Sequence, residues 1–302
     1  MLISKFLEYL SVEKKYAQKT IESYQNDLED FRRFLLTEST IKGVSEAEKT
    51  DIRNFLMHLS QSGLSERSIN RKISVLNTFF KYLLKIGEIE LSPTTGIHTL
   101  KHYNKVQVPL AEEEIQRLFD TPNLFPDDFI GKRDRMIIDL FYQTGMRRAE
   151  LIQLKMDDVD LMQRQIRIMG KGGKERLVPI GENLLESITL YIKERKLAYP
   201  ENSAELFLTE KGKAFSDKLV YNIVNHYLSL VSSKQKTSPH ILRHSFATHL
   251  LNHGADLNSI KALLGHSSLA ATQVYTNVNI DQLKTVFNQA HPRSEKSKRN
   301  EH

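Results

Sequence analysis

Residues 238–251 read SPHILRHSFATHLL, and this segment marks the start of a helix with a cationic face. Ser238 is a favourable N-cap and Pro239 suits the first helical position, so we predict that a helix begins here. His240 and Arg243 then share one face, because residues three apart are neighbours on a helix. A metal site is the obvious alternative for the histidines. We do not expect one, because an arginine beside a divalent cation is unfavourable and the sequence has no HExxH motif.

A second polar segment, residues 144–151, reads TGMRRAEL. A helix that ends at Gly145 and another that begins near Arg148 would place Arg147 at the junction between them. On its own the segment is better explained by a surface ion pair between Arg147 and Glu150. Its meaning therefore depends on the rest of the chain.

Two further segments carry polar residues that folding does not require. Residues 170–180 read GKGGKERLVPI, and we predict two short strands, 165–168 and 176–180, joined around the glycine-rich residues 170–173 with Lys171 at the tip. The spacing is not that of a phosphate-binding P-loop, and hairpin tips often carry lysine for solubility alone. Residues 263–276, LLGHSSLAATQVYT, contain His266 and Tyr275. A tyrosine in such a segment would ordinarily be a half-buried core residue.

In chain order, the four segments resemble the tyrosine site-specific recombinase (phage integrase) family, and within it the bacterial Xer recombinases. The resemblance covers nearly the whole chain and includes an HPR motif, His291-Pro292-Arg293, after a terminal helix. The catalytic residues that it implies are Arg147, Lys171, His240, Arg243, His266 and the nucleophile Tyr275, with Glu150 in a supporting role.

The chemistry of phosphodiester cleavage suits these residue types. Attack on the phosphate increases its negative charge, which must be stabilised by fixed donors. Arg147 and Arg243 can bind the non-bridging oxygens through planar, permanently charged guanidinium groups. His240 and His266 would add hydrogen bonds, and one of them would help to remove the proton of Tyr275. Nearby cations would also lower the pKa of the phenol.

The resemblance also implies roles for the remaining residues. Lys171 would protonate the leaving 5′ oxygen from its hairpin tip, and Glu150 would steer Arg147. Strand exchange would pass through a covalent 3′-phosphotyrosine, and we expect no metal and no other cofactor.

The predicted fold is mainly α with two domains, which is appropriate for 302 residues. Helical periodicity predicts four helices before residue 90, at about 1–14, from about Lys19, from a Thr50 cap to Gly63, and at about Ser65–Ile86. We expect a four-helix core-binding domain over residues 1–97 and a linker over residues 98–108. A mostly helical catalytic domain with a small antiparallel sheet would follow over residues 109–302, including a C-terminal exchange helix and a basic tail.

One face of the fourth predicted helix carries only basic and hydroxyl side chains: Arg67, Arg71, Ser74, Thr78, Lys81 and Lys85. A solvated face usually mixes charges of both signs, because opposite charges four residues apart stabilise a helix. We therefore predict that this face contacts DNA phosphates. The alternative is an ordinary solvent-exposed helix face.

The terminal helix has an apolar stripe made of Ile280, Leu283, Val286 and Phe287. The periodicity fits docking on the same chain and docking on a neighbouring subunit equally well. The resemblance favours transfer to a neighbour in a ring of subunits.

The composition narrows the class of protein. A net charge of +6 and a pI of about 9.2 favour a polyanionic partner. The apolar fraction of 40% is typical of a folded globular protein. The absence of cysteine fits a reducing cytoplasm, and no apolar run is long enough to span a membrane. We expect a cytoplasmic, nucleoid-associated enzyme whose first ten residues form a helix of the mature protein.

The leading functional hypothesis is Xer-type recombination that resolves chromosome or plasmid dimers. An integrase of a mobile element would use the same chemistry, and a catalytically inert DNA-binding protein is a second class. A basic helical interaction protein is a third class, but all the motif matches would then be accidental. The implied partners are a double-stranded recombination site and a DNA translocase as regulator. On DNA the chain would form either a homo-tetramer or a hetero-tetramer with a second recombinase.

Overall fold

The computed structural model describes residues 1–38, 43–101, 108–170, 172–199, 203–234, 237–265 and 280–294. The chain divides into two compact units, Met1–Lys105 and Val106–His302. Because residues 102–107 lie outside the described residues, the predicted linker and its bounds stay a prediction.

The N-terminal unit contains the four predicted helices, α1 Leu2–Val12, α2 Gln18–Glu38, α3 Lys49–Gln61 and α4 Glu66–Lys85, with a short 3₁₀ turn at Val44–Glu46. Their apolar faces meet around a set of buried phenylalanines, Phe6, Phe31, Phe55, Phe79 and Phe80. Several of these rings pack in tilted or edge-on pairs, an arrangement that adds to the stabilisation from burial.

The helix ends follow local capping chemistry. Ser65 is the N-cap of α4, and its hydroxyl accepts a hydrogen bond from the backbone N–H of Ser68. The expectation that Thr50 caps α3 is wrong. The cap is Glu48, which forms a reciprocal capping box with Asp51, so the helix begins before Thr50.

The second unit is mainly helical, and the predicted fold class is confirmed. Its helices are α5 Glu112–Asp120, α6 Phe129–Thr144, α7 Arg148–Ile152, α8 Glu182–Ala198, α9 Asp217–Val231, α10 Pro239–Asn252, α11 Leu257–Leu264 and α12 Ile280–Ala290. Helix α6 is buried along most of its length and packs against α8, α9 and α10. The ends of the elements around this central helix position the polar residues described below.

A small antiparallel sheet has the strand order β1-β2-β3, with β1 Val159–Asp160, β2 Gln165–Met169 and β3 Glu175–Pro179. The sequence predicted β2 and β3 but not β1, because two residues are too few to show an alternating pattern. The backbone N–H of Gly170 donates to the carbonyl of Lys174 at 2.7 Å and closes the hairpin. Lys171, at the predicted tip, lies outside the described residues.

Helix α12 packs on its own unit, against β3, α10 and α11. Leu283 and Phe287 are buried in the core of this unit, as one of the two alternatives left open by the periodicity requires. Next in the chain, Arg293 pairs with the buried carboxylate of Asp139 at 3.2 Å. Transfer of α12 to a neighbouring subunit of an assembled ring stays a prediction. The basic tail, residues 295–302, lies outside the described residues.

The neutral imidazole of His291 holds the end of α12 against the core. The ring stacks on Phe287, its Nε2 lies 3.3 Å from the carbonyl of Tyr142, and its Nδ1 accepts from the backbone N–H of Arg293 at 3.1 Å. The pKa of His291 is lowered to about 3, mainly by burial; the carbonyl of Tyr142 opposes the shift, and the charge of Arg293 contributes to it.

We therefore expect α12 to open more easily in acid. The pKa of a solvated histidine is about 6.5. Below that pH, His291 is therefore protonated in the unfolded segment but stays neutral in the folded one. The stabilisation is complete above that value and is lost as the pH falls from about 6.5 toward 3. Hydrogen exchange of α12, corrected for its intrinsic pH dependence, should show a smaller opening free energy at pH 5 than at pH 7.5. His291→Gln should flatten this difference and the exposed control His226→Gln should keep it, whereas equal protection at both pH values in the parent would contradict the prediction.

None of the helices among the described residues is long and apolar enough to cross a membrane.

Candidate active site

Arg147 lies at the junction between two helices, as the sequence predicted. Helix α6 ends at Thr144, and Gly145 turns the chain with a φ of +58°. A side chain at Gly145 would place its Cβ only 2.5 Å from the ring of Phe246, so both the backbone conformation and the packing require glycine. Arg147 then occupies the N-cap of α7, which fixes its backbone at the start of that helix.

Glu150 holds Arg147 through both backbone and side chain. The backbone N–H of Arg147 donates to Oε2 of Glu150 at 2.8 Å, and its NH1 group donates to Oε1 at 2.8 Å. The carboxylate is buried, whereas the side chain of Arg147 is 38% exposed. A buried carboxylate thus anchors one edge of a guanidinium group that remains accessible to a ligand.

Arg176, on β3, is the second cation at this carboxylate. Its NH2 group donates to Oε2 of Glu150 at 2.7 Å. Burial by itself would raise the pKa of Glu150, but the hydrogen bond and charge of Arg176, followed by the bonds from Arg147, hold that pKa below its usual value. Glu150 is therefore ionised at neutral pH and carries a full negative charge between two arginines.

Arg243, on α10, is braced by the C-terminal ends of two other helices. Its NH1 group donates to the carbonyl of Gly145 at the end of α6, and its NH2 group donates to the carbonyl of Leu264 at the end of α11, at 2.8 Å. Helix C-termini carry partial negative charge, so they are suitable acceptors for a guanidinium group. The pKa of Arg243 is lowered to about 10, mainly by burial and in part by the charges of Arg147 and Arg176, so the group stays charged at neutral pH.

His240 lies one turn before Arg243, in the first turn of α10, and is exposed. Pro239 occupies the start of the helix as predicted, and Ser238 is the N-cap, although its side chain makes no capping hydrogen bond.

The structure thus brings Arg147, Glu150 and Arg243 together and leaves His240 exposed at the start of α10. The other three predicted residues, Lys171, His266 and Tyr275, lie outside the described residues, so their roles stay predictions. In the part of the chain that is described, no group of three or more His, Asp or Glu side chains could hold a metal ion.

Sequence reasoning missed Arg176. A usable signal was present, because Arg176 precedes the buried Val178 by two positions on the same strand. Alternate residues of a strand share one face, so a charged residue at this position should have a buried partner.

The predicted basic stripe of α4 is partly paired by acidic residues from other helices. Arg71 forms an ion pair with the buried Asp27 of α2 and a hydrogen bond to Ser23, while Lys85 pairs with Glu13 at 3.3 Å. The hydroxyl groups of Ser74 and Thr78 donate to carbonyls of the preceding turn.

Arg67 and Lys81 are exposed, and neither has an ion pair within the described ranges. Lys72, which the stripe did not include, is buried and pairs with Asp27 and Asp30. The face is therefore less cationic than the helix alone suggested, and its contact with DNA stays a prediction.

Comparison with known proteins supports both units. Residues 109–282 match the model of the phage integrase family, and residues 3–87 match that of the phage integrase N-terminal SAM-like domain. The tyrosine recombinase XerC of Bacillus licheniformis is 37% identical over 97% of both chains. The tyrosine recombinase XerD of Staphylococcus epidermidis is 36% identical over 97% of this chain and 99% of its own.

Among solved structures, the XerH site-specific recombinase bound to its difH substrate in a pre-cleavage complex superimposes with a TM-score of 0.68. The two sequences are 27% identical, and the match covers 91% of this chain and 80% of the other.

The fold and the matches to the two family models define a recombinase enzyme. The chain belongs to the phage integrase family and is a tyrosine recombinase, an enzyme of site-specific DNA recombination. The resemblance predicted from its motifs is confirmed.

Proposed function

We propose that this recombinase cleaves and rejoins DNA without a metal ion, through a 3′-phosphotyrosine formed by Tyr275. The observation that carries the proposal is the charge of the cluster. Arg147, Arg176 and Arg243 supply three positive charges around the single negative charge of Glu150, which leaves a net charge of +2. An excess of fixed positive charge in a partly buried site calls for an anionic ligand, and a phosphodiester provides one.

In the proposed reaction, the phenolic oxygen of Tyr275 attacks the phosphorus and the bond from phosphorus to the 5′ oxygen breaks. His240 or His266 accepts the phenolic proton, and Lys171 supplies a proton to the leaving 5′ oxygen. Arg147 and Arg243 bind the non-bridging oxygens, where charge increases in the transition state. A 5′-hydroxyl from another duplex reverses these steps, so the exchange needs no nucleotide hydrolysis.

We further propose an Xer-type role, in which the enzyme resolves chromosome or plasmid dimers as a tetramer on double-stranded DNA. Support comes from the identity to XerC and XerD relatives along nearly the whole chain and from the similarity to XerH, whose structure contains its difH substrate. A second recombinase as partner and a DNA translocase as regulator belong to the same proposal. Selection of bound sites from random DNA by the purified enzyme would distinguish a resolution site from the attachment site of a mobile element.

Lys171→Ala should abolish cleavage of ordinary DNA but be rescued by a substrate with sulfur in place of the bridging 5′ oxygen. A thiolate leaves without protonation, so the general acid becomes dispensable. Single-turnover formation of the covalent complex on the two substrates measures the rescue, and Lys174→Ala on the same substrates tests the first alternative general acid, from the same hairpin. If Lys171→Ala stays inactive on the sulfur substrate while the parent cleaves it, another residue is the general acid.

A further inference from the structure

Arg176 is held by two structural elements besides its own strand. Its NH2 group donates to Glu150 near the start of α7, and its Nε donates to the carbonyl of Leu263 near the end of α11, at 2.8 Å. The side chain is only 10% exposed. Gly265, with a φ of +62°, lies against the same guanidinium group, since a Cβ there would be 3.1 Å from one of its nitrogens. The backbone at Leu263 and Gly265 thus packs closely against the guanidinium group of Arg176.

The contact at Glu150 limits what Arg147 can do. Oε2 of the carboxylate already accepts from Arg176 and from the backbone N–H of Arg147, so the side chain of Arg147 reaches only Oε1. Without Arg176, Glu150 and Arg147 would be free to form the bidentate pair that carboxylates and guanidinium groups prefer. Such a pair would turn a second edge of Arg147 toward Glu150 and away from a substrate.

The charge of Arg176 acts in the same direction. Its positive charge balances that of Glu150, so the charge of Arg147 is not cancelled within the cluster. With Arg176 removed, the net charge of the cluster would fall from +2 to +1.

We propose that Arg176 is a positioning residue of the recombinase. It occupies and neutralises Glu150, and thereby keeps Arg147 oriented and charged for the scissile phosphate. Through Leu263 it also ties the β2–β3 hairpin to the end of α11, the two segments from which Lys171 and His266 continue along the chain. The inference rests on the role proposed above for Arg147.

The first test compares Arg176→Ala with Arg167→Ala. Arg167 lies on the adjacent strand and forms an exposed ion pair with Asp158, so its loss controls for removing an arginine from this sheet. We expect Arg176→Ala to slow covalent-complex formation on a nicked suicide substrate by roughly 10–100-fold, by analogy with residues that orient the ligands of a metal ion. DNA affinity should change little, and Arg167→Ala should react like the parent. A normal rate in folded Arg176→Ala would overturn the proposal.

The second test asks whether Arg176 acts through the charge of Glu150. Adding Glu150→Gln to Arg176→Ala should restore part of the lost rate, because the uncompensated carboxylate that competes for Arg147 is gone. A purely structural role for Arg176 would make the two losses multiply instead. Multiplicative losses would therefore overturn the proposal.

The pH dependence gives an independent readout. Loss of Arg176 should raise the pKa of Glu150, because the largest contribution opposing its burial is removed. Protonation of Glu150 would then release Arg147, so the rate deficit of Arg176→Ala should shrink as the pH falls. The deficit should not depend on pH in this way when Glu150→Gln is also present. A deficit that is constant with pH would contradict the proposed mechanism.

Two comparisons keep the test decisive. If Arg176→Ala does not fold, Arg176→Lys and Arg176→Gln replace it, and the lysine variant should react faster because it retains the positive charge. Equal rates for these two variants would overturn the proposal. Normal cleavage by Arg147→Ala would instead overturn the catalytic role proposed above for Arg147, whereas an inactive Arg147→Ala beside a normal Arg176→Ala would overturn this inference alone.

Discussion

Tyr275→Phe is expected to abolish covalent trapping on a nicked suicide substrate and to leave DNA binding nearly unchanged. The substitution removes a single oxygen, the atom that would attack the phosphorus, and retains the aromatic ring. The other proposed catalytic groups have different roles, so none of them can replace a missing nucleophile. Denaturing electrophoresis of the protein–DNA adduct measures trapping, and a gel-shift titration measures affinity.

Tyr221→Phe is a matched control, because Tyr221 is an exposed residue on α9 and should trap DNA like the parent. Trapping should also persist in EDTA, since the proposed chemistry uses arginines in place of a metal ion. An adduct that still forms with Tyr275→Phe would remove Tyr275 from the mechanism. A strict requirement for a divalent cation in the cleavage step would contradict the scheme as a whole.

The helix ends that position the candidate site were predictable, because local chemistry determines where helices begin and end. Gly145 ends α6 since only glycine suits its left-handed backbone at that close approach, and the position of Arg147 at the next N-cap follows directly. Ser238 and Pro239 likewise mark the start of α10, which fixes His240 and Arg243 one turn apart. Each of these inferences needs only residues within a few positions of one another.

Contacts between distant segments could not be predicted in this way. Arg176 meets Glu150 across 26 residues and Leu263 across 87, and no local pattern specifies either partner. The basic face of α4 shows the same limit, because Asp27 and Glu13 reach it from other helices. A helical projection displays the charges of one helix but not those that tertiary packing brings to it.

Helix α12 illustrates a third kind of limit. Its apolar stripe was visible in the sequence, and the structure seats Leu283 and Phe287 in the core of the same unit. The burial of His291 and the ion pair between Arg293 and Asp139 hold the segment there. Exchange with a neighbouring subunit would have to replace these contacts with equivalent ones. Periodicity cannot reveal which surface receives a helix, because both docking modes bury the same face.

Arg147→Ala and Arg243→Ala should each slow covalent-complex formation by roughly 10²–10³-fold, as loss of a single donor to developing charge does in other enzymes. The two variants should differ in stability. The guanidinium group of Arg147 is bound at one edge only, by Glu150. Arg243 donates to the carbonyls of Gly145 and Leu264, so the removal of Arg243 leaves the ends of two helices without a hydrogen-bond donor. We therefore expect Arg243→Ala to have the lower melting temperature of the two.

The adjacent arginine provides the control for both variants. Arg148 pairs with Asp217 at 3.3 Å outside the cluster, so Arg148→Ala should form the covalent complex at the parental rate. Single-turnover trapping at saturating enzyme separates the chemical step from binding, which is measured in parallel by titration of a half-site. Arg147→Ala or Arg243→Ala with normal trapping and weakened binding would show that the residue is an ordinary phosphate contact. Slow trapping with normal binding would show that the guanidinium group acts on the transition state, where the charge on the phosphate is greatest.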